Sequence, residues 1–177
     1  GQGLYFIRIP AGSKNLNFSI SYSHQAINKI QATGNLNKFT QGAKSRWPQT
    51  VQVKGKVADS ESDYFFVDQI PVPENNPYQS KIRFGGFDYF SDGSRAAFCT
   101  WNGDVWIASN LTNDLQNVVW KRYAAGLNET LGLRIVDDVI YVNGRDQITR
   151  LHDFNNDGEA DYYENFNNDC KITKNFH

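Results

Sequence analysis

The sequence predicts an all-β fold, a partial β-propeller of about two to three blades with an N-terminal β-hairpin segment. Three observations carry that expectation. Short alternating or apolar runs recur, with turn signals roughly every 8–12 residues, the spacing of a sandwich, barrel or propeller. No window of about 11 residues keeps a helical period. Aromatic residues make up 14% of the chain, with 9 Tyr and 12 Phe, and such rings pack well on a pleated surface.

The elements follow in order. Residues 4–9 read as a strand, and Pro10-Ala11-Gly12-Ser13 as a turn. Residues 15–22 alternate polar and apolar, which completes a hairpin. Residues 23–50 are polar and weakly patterned, a linker or surface excursion that carries Lys38, Lys44 and Arg46. This divides the chain into an N-terminal β segment with linker, 1–45, and an incomplete propeller, 46–177. Residues 51–57 alternate, and 64–67 form an apolar run. Pro71, Pro73 and Pro77 then mark a loop, since proline lacks the N–H a central strand needs. Strands are expected at 82–90, 95–100, 105–108, 118–123, 131–136, 139–142 and 147–151. Turns at 91–94, at Trp101-Asn102-Gly103-Asp104 and at Asp137-Asp138 separate several of them; the Asn-Gly pair favours a tight hairpin.

The bulk properties exclude some functions. A formal net charge of −1 argues against a broad polyanion-binding face, so nucleic acid is not an expected partner. No apolar run approaches the roughly 20 residues of a membrane span. The chain opens on Gly1 without a signal peptide and closes on His177 in a polar segment, the pattern of a processed or truncated chain. Cys99 and Cys170 belong to no CxxC or CxxCH pattern, which excludes a zinc ribbon or covalent haem within these residues. One disulfide in an oxidising compartment and two separate buried thiols both accommodate them. Sequons stand at Asn17, Asn110 and Asn128.

The sharpest motif lies at 153–164, where Asp153, Asn155, Asp157, Gly158 and Glu164 match D-x-[DN]-x-[DN]-G-x₅-E. Calcium takes about six to eight oxygens at roughly 2.3–2.6 Å, which explains the spacing. Asp153, Asn155 and Asp157 would supply side-chain oxygens on alternate residues. Gly158 permits the sharp turn. Glu159 would give its backbone carbonyl, Asp161 would bind directly or through water, and Glu164 would close the site. The alternative is an acidic, Asn-rich turn without metal. Five acids in twelve residues repel one another unless a cation is present. The residues before the loop alternate like a strand, so a strand-loop site with a structural role is expected rather than a paired-helix one.

Other chemistry is sparse. His152, directly before the loop, is a candidate general base, and Arg145 at a loop mouth a candidate carboxylate or phosphate clamp; packing roles are the alternative for both. Trp101 and Trp106 flank a hairpin turn and could stack on sugar rings or serve the core. No G-x-S-x-G, P-loop, H-E-x-x-H or G-x-G-x-x-G occurs.

Residues 82–88, 99–106 and 144–153, with 157–161 and 164–170, resemble a family of large secreted bacterial proteins common in planctomycetes, verrucomicrobia and Bacteroidetes. These are the haem-binding or DUF6797 proteins, whose propeller is similar to that of glucose/sorbosone dehydrogenases. The resemblance spans roughly residues 46–177 and is looser over 1–45. It implies a calcium-bearing propeller in a periplasmic or extracellular redox protein acting on carbohydrate, with haem c or pyrroloquinoline quinone held outside this segment. It also implies that the remainder of the propeller, from the same gene or another chain, is a partner. Three readings follow. One is a sugar dehydrogenase-like component that passes electrons to a cytochrome c domain, with Arg145 and His152 as its candidate residues. Another is a non-catalytic propeller binding glycans or protein partners through Trp101, Trp106 and Tyr162. The last is a structural half-propeller completed by another chain.

Overall fold

A computed structural model describes residues 8, 12, 18, 20, 22–27, 34–58, 65–112 and 114–169. The chain divides into two compact units, residues 1–38 and 39–177. The expected hairpin over 4–22 lies outside the described residues, save Arg8, Gly12, Phe18, Ile20 and Tyr22.

The second unit is all-β. Its strands among the described residues are β1 (Thr50–Val53), β2 (Phe84–Tyr89), β3 (Ala96–Thr100), β4 (Val105–Ser109), β5 (Val118–Ala124), β6 (Gly132–Val136), β7 (Val139–Asn143), β8 (Ile148–His152) and β9 (Tyr162–Asn167). They form two antiparallel sheets, in the orders β1-β5-β4-β3-β2 and β6-β7-β8-β9. Within each, β2 to β5 and β6 to β9 run as an up-and-down meander, and the sheets do not close into a barrel. This is a partial, propeller-like array of two blade-like sheets.

Local chemistry explains the hairpins. Asp137 and Asp138 both take positive φ, 50° and 60°, as a two-residue primed turn requires, and Val136 pairs directly with Val139. In the β3–β4 turn Gly103 has φ +90°, and an added Cβ would stand 1.8 Å from the Leu127 carbonyl oxygen. No side chain fits there.

The sheets meet through two features. Alternation along each strand sends Ile140, Val142 and Leu151 toward Phe90, Ala97, Cys99, Val105 and Tyr123 of the first sheet, one continuous apolar cluster. At the inner strands the approach is backbone to backbone. An added Cβ on Gly85 would fall 2.3 Å from the Thr130 carbonyl oxygen, and one on Gly86 2.9 Å from the Leu133 nitrogen.

The opposite face of the first sheet is covered by the chain's own loop. Trp106, Ala108, Val118 and Trp120 pack against Ile70, Tyr78 and Ile82. Buried Asn76 shapes that cover, donating to the Pro73 and Ser80 carbonyls and accepting from the Tyr78 and Ser80 amides. Trp106 is fully buried, which corrects its reading as a contact residue: its ring completes the core.

Two expectations about strands change. The apolar run at 64–67 is no strand in its described part: Phe65, Phe66 and Val67 are 88%, 53% and 71% exposed. Their neighbourhood offers a single bridge, Lys56 to Gln69, and a strand needs a paired edge. Conversely, β9 begins inside the expected calcium loop. Its pairing with β8, His152 to Tyr162 and Arg150 to Glu164, completes the second sheet.

Candidate functional site

The loop that joins β8 to β9 is held by its own side chains. Asp153 accepts from the Asp157 and Gly158 amides at 3.2 and 2.8 Å. Asn155 Oδ1 accepts from the Asp157 amide at 3.0 Å, and Asp157 Oδ1 from the Glu159 amide at 3.0 Å. Asp161 Oδ2 accepts from the Phe154 amide at 2.9 Å. Positive φ at Asn156 and Gly158, 56° and 79°, lets the chain double back.

The loop sits against both sheets. Its Ala160 amide donates to the Tyr123 carbonyl of β5 at 2.8 Å, and its Asp161 amide to the His152 carbonyl of β8 at 2.7 Å. Lys121 of β5 donates its ammonium to the Asp157 carbonyl.

A third element joins them. Residues 42–47 lie along the loop as a strap. The Ala43 amide donates to Asp161 Oδ1 at 2.8 Å, and Asn155 Nδ2 donates to the Ala43 carbonyl at 2.7 Å. Glu159, 4% exposed, accepts from Ser45 Oγ, the Arg46 amide, Arg46 Nε and the Trp47 amide at 2.6–3.0 Å. Burial would raise this carboxyl, but the Arg46 guanidinium and the other donors hold it below the ordinary carboxylate range.

The donor chemistry suits a hard cation: carboxylate, amide and carbonyl oxygens on one tight loop. Tyr123 lies beside the loop, its carbonyl accepting from the Ala160 amide. It is 8% exposed. Burial, followed by the charges of Asp153 and Asp161 and then of Asp157, pushes its pKa well up. Asp153, Asn155, Asp157, Asp161 and the Glu159 carbonyl are the residues that would hold such an ion. As they stand, no three acidic, imidazole or thiol groups among the described residues share a metal-spaced centre, because the carboxylates are turned to backbone N–H groups.

Glu164 is not brought to this set. It lies in β9, and its Oε2 is 2.6 Å from His152 Nε2, 2.7 Å from Arg150 Nε and 2.6 Å from Arg150 Nη2. The His152 contact, then Arg150, keeps its pKa below the usual range. The rings of His152, Phe154 and Tyr162 lie nearly parallel, at 16–28°, with centroids 5.7–6.1 Å apart. Three near-equal separations mean a tile rather than a column, and Phe154 and Tyr162 are each 50% exposed.

The other candidate base–clamp pair is separated. Arg145 bonds Glu129 at 3.1 Å in the turn before β8, whereas His152 stands at the far end of that strand. Trp101 lies under the Arg83 guanidinium at 4.7 Å. Cys99 is a fully buried free thiol, its pKa raised by burial; Cys170 lies outside the described residues.

Sequence reasoning missed the strap, Lys121 and Tyr123. Their partners are 36 to 118 positions away, beyond any local pattern. The Tyr162/Glu164/Phe166 alternation was the one available signal of β9. No family model matches this chain, and neither does any curated protein or solved structure.

Proposed function

We propose that this chain is a calcium-stapled part of a secreted β-propeller and works as a non-catalytic binding module whose rigidity the ion supplies. The observation that carries this reading is the loop over 153–161: one run of hard oxygen donors touches β5, β8 and the strap at once. An ion there would neutralise clustered carboxylates where the loop bridges β5 and β8. Exposed aromatics at Phe84, Phe87, Tyr162 and Phe166, all 40–58% accessible, favour further blades or a bound partner as their cover, and the ring tile is suited to the apolar face of a sugar.

The test is a melting curve with and without chelator. Excess EGTA lowers Tm in the native chain, and Asp157→Ala melts at one temperature in both conditions. A native melting curve indifferent to EGTA overturns the reading.

A second reading, a sugar dehydrogenase-like component passing electrons to a cytochrome c domain, is favoured by the His152–Glu164 contact, a carboxylate-oriented imidazole of the kind that moves protons. The resemblance of residues 46–177 to haem-associated propellers supports it as well. A quinone or haem would then be held by residues outside this segment. The visible spectrum of the protein purified from its natural source, before and after dithionite, decides between the two. Sharp reduced-haem bands support the redox component; a spectrum featureless above the protein band leaves the binding module.

A further inference from the structure

We infer that the exposed apolar run Phe65-Phe66-Val67 of one molecule docks in a groove on the outward face of the second sheet of another copy of this chain. Neither element includes a residue of the 153–161 loop, so this inference stands apart from the calcium reading.

The run is an arm with a fixed root. Lys56 and Gln69 exchange two backbone hydrogen bonds of 2.8 Å, and the Ala58 amide donates to Asp68 at 3.0 Å. The Gly55 amide donates to the Leu115 carbonyl, which anchors this root on the first sheet. Phe65, Phe66 and Val67 nevertheless stand 88%, 53% and 71% exposed. Consecutive large apolar side chains held in water are a liability unless a partner covers them.

The groove has the matching shape and chemistry. Alternation along the second sheet sends Ile135, Ile140, Val142 and Leu151 to the first sheet, so Arg134, Tyr141 and Arg150 lie on the opposite face. There Arg134, Tyr141, Ile148 and Phe166 line a groove of about 360 Å³, into which Gly132 sends no side chain. About 150 Å³ already accepts a benzene ring, so two phenyl rings fit. Tyr141 and Phe166 meet edge to face with centroids 5.1 Å apart, and the Arg150 guanidinium is 5.9 Å from each. Tyrosine, phenylalanine and arginine are side chains that protein interfaces favour.

Charge selects the occupant. Residues 57–69 carry four acids, Asp59, Glu61, Asp63 and Asp68, and no lysine or arginine. The rim of the groove is cationic: the Arg134 side chain is 77% exposed and pairs with Asp88 at 3.2 Å, which leaves most of its guanidinium in water. An acidic apolar arm and a basic-rimmed apolar groove complement each other, and a second copy brings both. The same acids are repelled by an anionic bilayer, which disfavours a lipid surface. The groove opens away from the first sheet, on which its own arm is rooted, so the contact is made between molecules. A few side chains make a small contact, and the association is therefore transient and concentration-dependent.

Sedimentation of the full chain over a dilution series reads this contact, up to about 100 µM, where a micromolar Kd is saturated. The mass of the native chain is expected to rise above that of the monomer with concentration. Phe65→Ser combined with Phe66→Ser removes the arm, and Phe166→Glu fills the groove with a charge that repels it. Each variant is expected to stay monomeric, with unchanged far-ultraviolet circular dichroism. Mixed in equal amounts, the two retain one intact arm and one intact groove, and the mixture is expected to associate again but to stop at a dimer. Misfolded variants would not recover in this way. A native chain that is monomeric throughout overturns the inference. So does association that survives either change, or a mixture that stays monomeric.

Discussion

Glu159 concentrates the residue-scale physics of this protein. A carboxylate at 4% exposure is tolerable only because four donors meet it, one of them charged. Its partner Arg46 has a side chain 61% exposed, so the clamp is half in water and its electrostatic worth is screened. Removing Glu159 leaves the Arg46 and Trp47 amides short of an acceptor, and Glu159→Ala is expected to destabilise by about 1–3 kcal/mol in urea titration. Glu159 and Glu164 both have folded pKa values below their ordinary ones, and Asp92, bonded by Arg95, falls to about 2. For depressed acids, the stability contributed is complete above the unfolded pKa and is lost as pH falls through the folded one. Melting temperature is therefore expected to fall on acidification below about pH 4. The Glu159→Gln variant should show a shallower fall; an unchanged acid limb would remove Glu159 as a contributor.

Among elements, the glycines decide the packing. The inner edges of the two sheets approach so closely at Gly85 and Gly86 that a methyl group would overlap the backbone of residues 130–133. Gly85→Ala is expected to cost about 1–3 kcal/mol, the usual penalty of overpacking, read as a lower denaturant midpoint; a native midpoint would show that the sheets can slide apart without loss. The hairpins were legible because their signals are local: alternation, an Asn-Gly pair, a two-aspartate turn. The partner of β1 and the start of β9 were not. β1 joins β5 across 65 or more residues, with Val53 opposite Val118. β9 was hidden because Tyr162 to Glu164 serve two grammars, a metal-loop ending and a strand beginning. The strand won, since Glu164 found His152 and Arg150 across the ladder.

For the whole molecule, the amino-acid sequence by itself determined an all-β chain with short antiparallel strands, its main hairpins and an acidic loop with hard-cation spacing. Those follow from periods of a few residues and from turn chemistry, which a chain carries wherever it is placed. Only the tertiary structure decided how many sheets form, which face of the first is sealed by residues 70–82, and that Trp106 is core. It alone separated Arg145 from His152 and turned Glu164 away from the loop. It also brought the 42–47 strap and buried Tyr123 to Asp153–Asp161. Those outcomes depend on contacts between residues far apart in sequence, where burial and hydrogen-bond satisfaction over the whole fold override what any local motif prescribes.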